Sequence, residues 1–180
     1  MKASVLFSLL VLIAPLAAQN ETPPADKTPV DALLPNQQAF LNLPEESRKE
    51  FIKHYSEANR VFQQKRIFET LDALEKASAI FKDSPEVHNL RGSCYVEMRA
   101  FDKALAEFEK ATELSKDNPS ILFNIGEVYF VTKQWQKALD TFEKVLKMTP
   151  PTNTALSRLV EIKILLCMKK LGKNEEEVVL

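Results

Sequence analysis

Two histidines stand in this sequence, His54 and His88, 34 residues apart. An imidazole can ligate a transition metal or carry a proton near neutral pH. A metal needs further ligands at matching spacing, and no cysteine or carboxylate falls where it would complete a set with either ring. Cys94 and Cys167 belong to separate predicted helices, too far apart for a bridge that needs Cα atoms within about 7 Å. Buried free thiols are the expectation. No Ser-His-Asp grouping and no paired-carboxylate motif is recognisable. With only three glycines, two of them Gly92 and Gly126, no glycine-rich phosphate loop can be assembled. Glu175-Glu176-Glu177 reads as a solvated tail. The chemistry-bearing residues therefore predict a chain with no cofactor, no metal and no enzymatic activity. The formal net charge of −1 gives no bulk attraction to nucleic acid or to anionic lipid.

The spacing of the histidines belongs to a larger pattern. Pro85, Gly92, Tyr95, Phe101, Ala104, Phe108 and Ala111 recur 34 residues later as Pro119, Gly126, Tyr129, Trp135, Ala138, Phe142 and Val145. A more degenerate copy precedes them, with Ala58, Val61, Ile67, Leu74 and Ala77 in the same columns. Repetition at such an interval marks a stack of supersecondary units. The units span about 51–84, 85–118 and 119–152. Each reads as two amphipathic helices: one from Pro44 and one over 67–81, then 85–98 and 101–115, then 119–132 and 135–148. The prolines at 85 and 119 suit a first helical turn, and Pro150-Pro151 ends the last unit. Small residues at 58, 92 and 126, met by Ala104 and Ala138, let the two helices of a pair approach closely. Phe101 and Trp135 fill the space between pairs. A helix over 153–171 closes the stack.

The ends read differently. Met1-Lys2, the apolar run Val5 to Ala14 and the small residues around Ala17-Ala18 have the form of an export signal, residues 1–18. Cleavage would leave a chain exported to a periplasm or secreted, with no membrane contact. Residues 19–43 form a proline-rich linker, flexible to Asn36; Ala39 to Leu43 is apolar enough to pack on the helical domain, 44–171. Residues 172–180 form a tail.

The columns resemble the tetratricopeptide repeat, whose pattern runs Leu-Gly, Tyr, Ala, Phe, Ala and a closing Pro. Ile125-Gly126, Tyr129, Ala138, Phe142 and Pro150 carry it in the third unit, and Gly92, Tyr95, Ala104, Phe108 and Ala111 in the second. The pattern's opening tryptophan is replaced by His54, His88 and Leu122. The resemblance implies an all-α fold, a right-handed α-solenoid of antiparallel helix pairs. It also implies that the first helices line a concave groove for a protein or peptide. Carried along the grid, the groove rows are Tyr55, Asn89 and Phe123; Asn59, Ser93 and Glu127; and Phe62, Val96 and Phe130. Some relatives clamp a terminal carboxylate with cations and asparagines. The corresponding positions here, Tyr55, Asn59, Leu90, Ser120 and Asn124, keep the asparagines and lack the cations.

The reading that follows is an exported interaction module binding a peptide or helix in this groove. The alternatives are a self-associating scaffold, or a chaperone-like holder resembling secretion-system chaperones.

Overall fold

The computed structural model describes residues 33–116, 118–149 and 154–172. The expected export signal, most of the linker, Pro150-Pro151 and the tail beyond Gly172 lie outside the described residues. Eight helices follow in order among those described: α1 Pro35–Leu41, α2 Glu45–Gln63, α3 Ile67–Ile80, α4 Pro85–Glu97, α5 Phe101–Ser115, α6 Pro119–Val131, α7 Trp135–Met148 and α8 Thr154–Leu171. No strand occurs among them.

The starts of these helices follow from their residues. Ser84 Oγ accepts from the Val87 amide at 3.2 Å, and Asn118 Oδ1 from the Ser120 amide at 2.9 Å. Each satisfies an amide that the first turn leaves without a helical partner, and Pro85 and Pro119 follow directly. Glu45 and Glu46 occupy the first turn of α2, where a carboxylate suits the helix dipole.

The helices pair as α2 with α3, α4 with α5 and α6 with α7, joined by short turns, and α8 lies against α7. The close approach foreseen at the small residues is present. A Cβ placed on Gly92 would meet Phe108 Cε1 at 2.6 Å, and one on Gly126 would meet Phe142 Cε1 at 2.6 Å. In the first pair the equivalent positions hold Ala58 and Leu74, both fully buried. Only the backbone of glycine leaves room for the larger ring.

Two expectations change. The linker gives way at Pro35 to the helix α1, whose Gln37 side chain accepts from the Leu34 amide at 3.0 Å. Phe40 of α1 packs on Phe51 and Phe81 at ring separations of 5.2 and 5.4 Å. Three aromatic rings thus tie the segment to the start of α2 and the end of α3. Trp135 meets Phe130 of its own pair edge to face at 5.2 Å, so it serves the pair as well as the gap beside it. Both cysteines are buried free thiols, as their helices implied.

Candidate functional site

The first helices lie side by side: α2 touches α4, and α4 touches α6. Together they form one wall, and the nine row residues fall on it at two depths. Phe62, Ser93, Phe123 and Glu127 are buried. Tyr55, Asn59, Asn89, Val96 and Phe130 are half-buried. The deeper members are held by neighbours within the stack. Phe123 packs on Phe142 at 5.5 Å, and the Ser93 hydroxyl donates to the Asn89 carbonyl at 3.1 Å. The shallower five keep part of their surface in solvent.

Polar bridges hold the wall in register. Asn124 Nδ2 donates to Asn89 Oδ1 at 2.9 Å, from α6 to α4. Lys163 of α8 reaches both oxygens of Glu127, at 2.7 and 2.8 Å, and its ammonium lies 4.8 Å from the Phe130 ring centre. Burial raises the Glu127 carboxyl pKa, and Lys163 pulls it back. The wall's one row carboxylate is therefore matched by a cation from the closing helix. Burial also raises the Tyr55 phenol. Asn59 Nδ2 donates to the Tyr55 carbonyl at 3.1 Å.

Sequence reasoning did not find Lys163. It lies on α8, where the repeat grid breaks down, so no column pointed to it. The structure turns it inward to meet Glu127. The histidines are accounted for differently. His88 Nδ1 lies 2.7 Å from Glu107 Oε2, and its Nε2 lies 3.2 Å from the Lys82 carbonyl. Among the described residues, no group of three His, Cys, Asp or Glu side chains could hold a metal ion. No described helix is long and apolar enough to cross a membrane.

Two family models match the chain, one described as TPR repeat over residues 92–133 and one as tetratricopeptide repeat over residues 119–151. These are tetratricopeptide repeats. The fold of the stack, a right-handed solenoid of antiparallel helix pairs, is shared with solved structures. The chaperone SycD of Yersinia enterocolitica, in complex with a peptide of the translocator YopD, aligns with TM-score 0.64 at 15% identity, over 71% of this chain and 99% of that one. PcrH in complex with the chaperone-binding region of PopD aligns with TM-score 0.63 at 12% identity, over 72% and 97%. The first tetratricopeptide-repeat domain of Spaghetti (RPAP3), bound to the HSP90 peptide SRMEEVD, aligns with TM-score 0.61 at 18% identity, over 69% and 95%. At these identities the likeness establishes the fold. No curated protein matches the sequence.

Proposed function

We propose that this chain is an exported, non-enzymatic interaction module that holds a peptide or an amphipathic helix against the wall of first helices. The observation that carries the reading is the half-exposed set Tyr55, Asn59, Asn89, Val96 and Phe130, spread over three adjacent helices. Rings, a valine and amides suit a segment with apolar anchors and a few backbone hydrogen bonds. Glu127 is already matched by Lys163, so the wall offers a partner little net charge. The peptide complexes of SycD, PcrH and RPAP3 are consistent with a protein ligand on such a stack. Export rests on the sequence of residues 1–18 alone, and N-terminal sequencing of the mature protein tests it.

The binding reading is tested by recovering partners from the exported fraction with the wild type and with a Tyr55→Ala/Asn89→Ala/Val96→Glu variant. Asn89 also accepts from Asn124 and Tyr55 stacks on Phe51, so the variant should melt somewhat lower, stay folded at the assay temperature and lose the bound partner. Equal recovery by both proteins would remove the groove assignment.

A second reading, self-association, is favoured by α8. Its Ile162, Leu165 and Leu166 are among the exposed large apolar side chains. Light scattering that shows a monomer at high concentration would exclude it.

A further inference from the structure

The turn inside every helix pair carries the same unusual residue. Lys65, Arg99 and Lys133 stand 34 apart, with φ of 60°, 58° and 62°. This left-handed conformation crowds the Cβ of any residue but glycine. Their amides donate to Phe62, Val96 and Phe130 carbonyls at 2.8, 2.9 and 3.1 Å, which closes each first helix. Glycine would make the same turn without the crowding, yet a long cation occupies it three times. The next amides, of Arg66, Ala100 and Gln134, donate back to the Val61, Tyr95 and Tyr129 carbonyls at 3.1, 2.8 and 2.8 Å, so the left-handed residue is what this helix ending requires. The ending does not require that residue to be a cation.

The three turns share one edge of the stack. Lys65 reaches Glu97, beside the second turn, at 2.7 Å. α8 ends there too, because Lys170 lies 5.9 Å from the ring of Trp135, the first residue of α7. Just inside the second helices, Lys103 and Lys137 lie over Tyr95 and Tyr129 at 5.8 and 5.4 Å, again 34 apart. Arg66, next to Lys65 in the first turn, adds to the same side. The acids nearby are Glu97, Glu69, which pairs with Arg66, Glu57, which pairs with Arg60 and lies within reach of the Arg66 charge, and Asp102. Cations outnumber acids at this edge although the whole chain carries a formal net charge of −1. Two exposed apolar side chains stand among them: Phe68, 78% exposed, and Met98, 44%.

We propose that this edge of turns docks on an anionic bilayer surface, with the cations at the lipid phosphates and Phe68 and Met98 seated at the headgroup boundary. Amphipathic surfaces of this composition bind membranes by apolar insertion and by attraction to anionic lipid together. A bilayer is favoured over an acidic peptide because exposed Phe68 and Met98 stand among the cations, and an acidic peptide alone would leave them in water. The surface is separate from the wall of first helices, so either assignment can fail while the other stands.

The test is co-sedimentation of the full chain with vesicles of phosphatidylcholine alone, or of phosphatidylcholine containing one-third phosphatidylglycerol. Binding is expected only to the anionic vesicles and is lost in high salt. Lys65→Gly/Arg99→Gly/Lys133→Gly should weaken it about a hundredfold, from roughly fivefold per cation. Glycine suits these turns, so the variant should melt no lower than wild type, and lost binding would not reflect unfolding. Phe68→Ser should weaken binding and leave its salt dependence unchanged. Equal binding to both vesicle types, no binding to either, or full binding by the triple glycine variant would overturn the proposal. So would capture of soluble polyglutamate in place of vesicles, which would assign the edge to a protein.

Discussion

Gly126 faces Phe142 so closely that a single added methyl would sit 2.6 Å from the ring. The first pair solves the same crossing with Ala58 and Leu74. The two solutions exchange volume between one helix and the other. Gly126→Ala should therefore cost about 1–3 kcal/mol from overpacking, less roughly 1 kcal/mol for the better helix former. Combined with Phe142→Leu, it should cost at least about 1 kcal/mol less than the two single changes added together. Urea denaturation of the three variants measures that coupling, and strict additivity would show that the ring and the glycine do not share the space.

Lys163 and Glu127 form a pair whose side chains are only 15% and 9% exposed. Lys163→Met should cost about 3 kcal/mol at neutral pH, because it leaves a buried carboxylate without its cation. Burial already raises the Glu127 carboxyl. The folded state therefore takes up this proton before the unfolded chain does as pH falls. The stability attached to Glu127 is lowest above its raised value and grows as pH drops through that value toward the ordinary carboxylate range. The loss in Lys163→Met should accordingly shrink between pH 7 and about pH 5. Chemical denaturation at the two pH values checks this, and a constant loss would mean that packing, not charge, joins the two residues.

Relieving one strained turn should stabilise the fold. Arg99 has φ 58° at the end of α4, and Arg99→Gly should add about 1 kcal/mol. Its melting temperature, compared with that of Arg99→Ala, isolates the backbone contribution, since both variants lack the guanidinium and only glycine is free of the Cβ. Equal melting temperatures would argue that the turn carries no strain.

Burial raises the Cys94 thiol to about 12 and the Cys167 thiol to about 11. The thiolate is the reactive form, and both sulfurs lie out of contact with water. Neither should react with a disulfide reagent at pH 8 in the folded protein, and both should react once the chain is unfolded in denaturant. Rapid labelling of either one in the native state would show that its helix opens readily.

The helical stack was legible because its signal is redundant. Prolines, glycines and aromatics at one interval constrain both the helix boundaries and the faces they bury. Positions 92 and 126 could be assigned before any coordinates, since only a close crossing needs glycine inside a helix. The depth of the wall was not legible in the same way. Phe123 and Phe130 occupy similar columns by type, but Phe123 turns onto Phe142 while Phe130 stays half-exposed beneath Lys163. A side chain's share of solvent depends on what the next helix brings to it, and α8 departs from the repeat. The helix α1 escaped notice because seven residues give too few turns to show a period.

Every residue from Ile121 to Val128 is buried in the finished stack, on all sides of α6. During synthesis this stretch is made before α7 and α8, the elements that cover much of it. At a translation rate of about 5–20 residues per second, it waits bare for roughly two to eight seconds while residues 132–171 are added. The nascent chain is thus adhesive through that interval, and its yield in a cell should depend on how well the interval is chaperoned.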